Sequence, residues 1–170
     1  MQIEYLNVER ELEEFAKEVI KKSKANLKRL NKKASGDLIN KMNYNLNESK
    51  NSFSLGIGWP ENNGGKYANF VNYGVKGVQS GKSLKNYRYK DKKPPLRFLV
   101  TWLKQKRGRF RERTLRQQAF AVQNIIYKRG LKPTEFFSKP FEEEFKKLPD
   151  EIIEAYGLDL EDFLEFVFKD

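Results

Sequence analysis

Val8, Leu12, Phe15, Val19 and Leu30 are apolar residues at helical spacing through residues 7–33, with the polar Asn26 on the same side and Ala16, Ile20 and Leu27 widening the stripe. The pattern predicts one long helix. Asn7 is placed to cap its start. Glu9, Glu11, Glu13 and Glu14 crowd the first turns and Lys28, Arg29, Lys32 and Lys33 the last, an order that complements the helix dipole. Ser35-Gly36-Asp37 ends the run. The period then changes to two. Met42, Tyr44 and Leu46 alternate with polar neighbours, as do Phe53, Leu55 and Ile57, which predicts an antiparallel pair of strands with one buried face.

After a turn cluster at Pro60 to Gly65, the stretch Tyr67-Ala-Asn-Phe-Val-Asn-Tyr-Gly74 predicts a short helix stopped by Gly74. Tyr67 and Phe70 read either as core packing beneath the sheet or as an aromatic wedge that fixes the following loop for contact with a neighbouring subunit, with Tyr73 at the exit. Residues 75–93 read as a long polar loop. Pro94-Pro95 opens a further helix, with Leu96, Leu99 and Leu103 on one side and Phe98 and Trp102 beside them. Another helix over about 114–129 is expected to bury Leu115, Ala119, Val122 and Ile126, next to Ile125, and to stop at Gly130. A helix around Pro140 to Leu148 follows, then two short amphipathic pieces, 150–156 and 159–168, after Pro149. The fold class is therefore α+β. A long N-terminal helix packs on a small antiparallel sheet, with further helices and an acidic helical extension at the C-terminus. The expected division is 1–149 for the α+β domain and 150–170 for the extension.

Composition narrows the chemistry. Cysteine and histidine are both absent, which removes disulfides, thiolate sites and imidazole acid–base catalysis. Catalysis by Asp, Glu, Lys, Tyr or a Ser-Lys pair stays open. Glu142, Glu143 and Glu144 are consecutive, so they fan around a helix and do not converge on a metal. Asp159, Glu161 and Asp162 fall at an expected helix start, where carboxylates are favoured anyway. Gly77-Val-Gln-Ser-Gly81-Lys-Ser lacks the spacing of a phosphate loop and no apolar strand leads into it. The reading is of a protein that is not an enzyme, with no cofactor or metal. No apolar run is long enough for a membrane span, and the acidic start lacks the layout of a signal peptide.

Charge is distributed unevenly. Net charge is +11, but residues 150–170 hold eight acids and one lysine, so a body of +18 carries a tail of −7. Such asymmetry points to polyanion contact, self-association, or both. Lys82, Lys85, Arg88, Lys90, Lys92 and Lys93 lie in the 75–93 segment, interleaved with Tyr87 and Tyr89. This segment reads either as an arm that orders on assembly and touches DNA phosphates or an acidic partner, or as a solvated, mobile loop. Lys104, Lys106, Arg107, Arg109, Arg111 and Arg113 form a second run that either lines a lumen or is a solvated corner. Each phosphate contact would add salt-sensitive, sequence-independent affinity. The tail is apolar as well as acidic, with Phe163, Phe166 and Phe168 among its large residues. It either docks on another copy or a partner, or packs on its own basic body. Candidate subunit-interface residues are Tyr73, Tyr87, Tyr89, Phe163, Phe166 and Phe168.

The order of these features resembles a family of tailed-phage neck proteins, the head–tail joining or tail-completion minor tail components. The matching residues are Ser35-Gly36-x-Leu38, Tyr67-Ala68-x-Phe70-Val71-x-x-Gly74, Pro94-Pro95 with Trp102, and Phe136-Phe137-x-x-Pro140-Phe141, within about residues 7–148. Asn72, Val75 and Phe141 depart from the family's usual Glu, Thr and small residue. The resemblance implies a structural virion protein, assembled in the host cytoplasm. Its copies would form a ring, a hexamer or dodecamer, between the portal and adaptor and the tail tube, with DNA passing through the lumen. The rival reading is a stand-alone basic nucleic-acid-binding protein that uses the same lysines and arginines.

Overall fold

The computed structural model describes residues 5–31, 36–49, 52–60, 65–105 and 114–168; for 65–66 and 166–168 it describes the backbone alone. The chain is α+β, as the periodicities predict. The elements are α1 (Leu6–Arg29), α2 (Asp37–Asn40), β1 (Asn43–Ser49), β2 (Ser52–Gly58), α3 (Gly65–Tyr73), α4 (Leu96–Gln105), α5 (Leu115–Arg129), α6 (Ser138–Phe145) and α7 (Leu148–Phe168). They divide into two compact units. The first holds residues 1–25, 42–58 and 137–170, and the second holds 26–41 and 59–136.

In the first unit, β1 and β2 form an antiparallel hairpin whose register pairs Tyr44 with Ile57, Leu46 with Leu55 and Glu48 with Phe53. The alternation seen in the sequence thus brings Tyr44, Leu46, Phe53, Leu55 and Ile57 to one face. α1 comes close to that hairpin where the Tyr44 hydroxyl lies near the Glu13–Lys17 ion pair. Tyr5, just before α1, lies edge-on to Phe53 with ring centroids 6.2 Å apart. Val8, Phe15, Ala16, Val19, Ile20 and Ser23 are the buried positions of α1 in this unit. Phe15 meets Phe141 and Phe145 of α6 edge-on, at 5.6 and 6.5 Å.

α6 is also tied to α1 by charge. The Lys22 ammonium contacts Glu144 at 2.5 Å, and Lys147 flanks the same carboxylate. The hydrogen bond from Lys22 holds the Glu144 carboxyl below its ordinary value of 4.5 and raises Lys22 above 10.5. A carboxyl depressed on folding stabilises above its unfolded value and loses that contribution as pH falls through the folded one. The wild-type chain is therefore expected to lose more stability than Glu144→Gln as pH falls from just below 4.5. Acid titration of the two by urea denaturation checks this, and parallel curves would refute it.

α7 departs from expectation. The sequence suggested two pieces broken near Gly157, yet one helix runs from Leu148 to Phe168. Pro149 falls in its first turn, where a missing N–H costs nothing, and Gly157 stands on an open side where an added Cβ meets no atom within 4 Å. Helix packing overrides the weak propensity of one glycine.

In the second unit, Leu27, Leu38, Ile39, Ala68, Val71, Val75, Ala119 and Phe136 are buried. The Trp59 indole N–H donates to the Leu38 carbonyl at 3.0 Å, and its ring meets Phe136 edge-on at 5.9 Å. Two expectations fail here. Tyr67 and Phe70 are 50% and 38% exposed, and the residues of α3 that are buried are Ala68, Val71 and Asn72. In α5, Ala119 is buried but Leu115 and Ile125 are exposed, while Val122 and Ile126 are half-buried. The helical stripe was correct in period, but periodicity does not say how much partner surface will cover it.

Candidate polyanion and partner surfaces

The basic segment 75–93 is held against its own chain. α5 ends with carbonyls that no further helical turn can satisfy. The loop supplies the donors: Val78 N–H bonds to the Tyr127 carbonyl at 2.9 Å, and Gln79 and Ser80 N–H both bond to the Lys128 carbonyl, at 3.0 and 3.1 Å. Val75 and Leu131 exchange both backbone hydrogen bonds, and Lys76 N–H donates to Tyr87 while Tyr89 N–H returns to Lys76. The Ser83 hydroxyl donates to the Gly74 carbonyl at 2.9 Å. Neither an arm that orders only on assembly nor a mobile loop describes this arrangement. Gly74, expected as a helix stop, has φ 72°, and a Cβ there would lie 2.6 Å from the Pro133 nitrogen. Glycine is needed for the conformation and for the close approach of the two backbones.

Side chains then cover this frame. Phe70 and Tyr87 meet edge-on at 5.2 Å, and Tyr89 and Tyr127 lie 6.2 Å apart. The Tyr127 hydroxyl donates to the Lys90 carbonyl. Desolvation, and then the adjacent Tyr67, push the Tyr89 phenol above its ordinary value. The Lys85 ammonium sits 4.1 Å from the Tyr73 ring centroid, a cation–π contact. Lys93 bonds to the Asn124 side chain at 2.8 Å and lies near the Phe120 and Tyr127 rings.

The predicted contact residues therefore separate into groups. Lys82, Lys85, Arg88, Lys90, Lys92 and Lys93 are all exposed, and the backbone frame presents them from one ordered segment. Lys128 and Arg129 of the last turn of α5 join them, a contribution the sequence reading missed because these residues lie some forty positions away. Tyr73, Tyr87 and Tyr89, expected at a subunit interface, are half-buried and spend their rings on Lys85, Phe70 and Tyr127. Arg107, Arg109, Arg111 and Arg113 lie outside the described residues, as do Lys106 and Ser35.

A second surface belongs to α7, in the first unit. Asp159 is buried and caps α1 from outside. Its carboxylate accepts from the Asn7 N–H at 2.9 Å, the Asn7 side-chain amide at 2.8 Å and the Val8 N–H at 3.1 Å. The expected self-cap by Asn7 is thereby replaced. Tyr5 stacks on Tyr156 with centroids 5.8 Å apart. Phe163 is half-buried, while the side chains of Phe166 and Phe168 are outside the described set. The tail thus packs on its own chain through one face, the face of Ala155 and Asp159. Its other face is open: Ile153 is 71% exposed, with Leu160 and Leu164 also exposed. Neither Asp159 nor Ile153 was singled out from the sequence for these roles.

Among the described residues, no group of acids is placed to hold a metal ion and no helix is long and apolar enough to cross a membrane. No family model, curated protein or solved structure matches this chain.

Proposed function

We propose that this chain is a structural component of a tailed-phage virion, acting in the neck as an oligomeric ring that joins head to tail and lets DNA pass. The order of the four sequence motifs supports the neck assignment. One structural observation supports assembly as the mode of action: the chain carries two solvent-facing surfaces of opposite character. One is a run of exposed cations on a hydrogen-bonded backbone frame, and the other is an acid-rimmed aliphatic face on α7. Identical copies bearing two complementary surfaces associate head to tail, and such contacts close into rings when the rotation allows. Lysines on a hydrogen-bonded backbone frame leave only side-chain entropy to be lost on meeting phosphate and read no base, which suits a conduit that must hold DNA loosely. Portal, adaptor and tail-tube proteins are the expected neighbours.

Electron microscopy of the purified chain, alone and added to virion necks, tests the proposal. Rings of fixed copy number, or density confined to the neck, are expected. A strict monomer that stays off necks and shifts duplex DNA in a gel would instead establish the stand-alone nucleic-acid-binding reading.

A further inference from the structure

α7 displays a regular apolar stripe. Ile153, Gly157, Leu160 and Leu164 recur at spacings of four, three and four, the repeat by which a helix presents a continuous seam to a partner. Ile153, Leu160 and Leu164 are 71%, 38% and 43% exposed, and Gly157 has open space around it. Glu154 and Glu161 are exposed beside the seam. Contiguous exposed aliphatics with a charged rim mark an interaction site. Two α7 seams are poorly suited to pair with each other, because the −7 charge of residues 150–170 would face itself. The occupant must be apolar and cationic.

The second unit carries such a surface. α4 is amphipathic but has no buried residue, and Phe98 is 58% exposed. Between α4 and α5 lies an open groove of about 520 Å³, lined by Leu96, Thr114, Arg116, Gln117, Phe120 and Gln123. Phe120 and Leu115 are 54% and 40% exposed. Arg97 and Lys93 are exposed nearby, and the groove opens at the N-terminal end of α5, the positive end of its dipole. The seam from Ile153 to Leu164 spans roughly 16 Å and α5 roughly 22 Å, at 1.5 Å per residue.

We infer that the aliphatic seam of α7 docks in the α4–α5 groove of a second copy of this chain. The inference rests on the self-association proposed above, and it gives α7 a partner surface other than the lysines of 75–93, the groove of α4 and α5, which leaves those lysines to phosphate. Because the seam and the groove differ, the contact is heterologous and continues from copy to copy instead of stopping at a dimer. Solvent-exposed rim ion pairs add little, so salt weakens the contact without abolishing it.

The chain has no cysteine, so each introduced thiol is unique. Leu160→Cys and Phe120→Cys are prepared separately, mixed, and oxidised with copper–phenanthroline. A disulfide-linked dimer is expected in the mixture, with at least fivefold less from Leu160→Cys alone or from Leu160→Cys mixed with Ser54→Cys on the hairpin. Leu164→Cys serves in place of Leu160→Cys if the latter folds poorly. Equal crosslinking of Leu160→Cys with itself overturns the heterologous contact. No crosslink in any mixture, while the unmodified chain still forms oligomers by native mass spectrometry, overturns the docking and leaves the ring reading intact. An unmodified chain that is monomeric both alone and on necks removes both.

Discussion

Gly130→Ala is expected to destabilise the chain by about 3 kcal/mol or more. Gly130 holds φ 76° and ψ −167°, a region that residues with a Cβ occupy only at a strain of about 1–3 kcal/mol. Its own surroundings add to this. A Cβ there would collide with the Val75 carbonyl oxygen and lie 2.6 Å from the Gly77 nitrogen. Both are backbone atoms, so no side chain can swing aside, and overpacking of this kind costs about 1–3 kcal/mol more. Relief requires segment 75–81 to lift from α5, breaking the bonds of Val78, Gln79 and Ser80 to the Tyr127 and Lys128 carbonyls. Urea denaturation measures the loss. Hydrogen exchange locates it, because those three amides are expected to lose protection before the α1 core does. A variant within 1 kcal/mol of wild type with those amides still protected would show that the frame is looser than described. If the lysines act only when presented on a rigid frame, the same variant also weakens duplex DNA binding at fixed salt.

Asp159→Ala carries the second large effect, about 3 kcal/mol. The carboxylate is buried and takes three hydrogen bonds, two of them from backbone N–H groups in the first turn of α1. Removing it strands donors at a helix start, at about 1–3 kcal/mol for each buried unsatisfied group, and withdraws a negative charge from the positive end of a 24-residue helix. Asp159→Asn keeps an acceptor oxygen and loses the charge, so its cost is expected to be about half as large. The two variants separate capping from simple burial. The Tyr5–Tyr156 stack reports on the same joint, and the tyrosine signal in near-ultraviolet circular dichroism is expected to fall with Asp159→Ala. Equal stability of wild type and Asp159→Ala would mean that water caps α1 as well as Asp159 does.

Particular residues show why legibility varied. The period of Val8, Phe15 and Val19 and the alternation of Tyr44, Leu46, Phe53 and Leu55 were readable because each records a repeat of the backbone itself, 3.6 or 2.0 residues. The lysines of 82–93 were readable as exposed because an unpaired ammonium is costly to bury. Tyr67 and Phe70 were misplaced because aromatic content signals burial only where a partner surface arrives, and α3 buries Ala68, Val71 and Asn72 instead. Two separate pieces, 150–156 and 159–168, were expected, yet continuous packing of Ala155 and Asp159 carries one helix through the gap between them.

From sequence alone follow the α+β class, the long first helix, the hairpin with its register face, and the division into a basic body and an acidic, apolar tail. All of these depend on local period and local charge. Tertiary structure alone decided the rest. It turned the basic loop into a frame by bonding Val78, Gln79 and Ser80 to carbonyls some fifty residues away, and it made Asp159 the cap of a helix about 150 residues earlier. It also chose which side of α7 stays open. Such pairings join groups remote in the chain whose partners are met only on folding, and no periodicity records them.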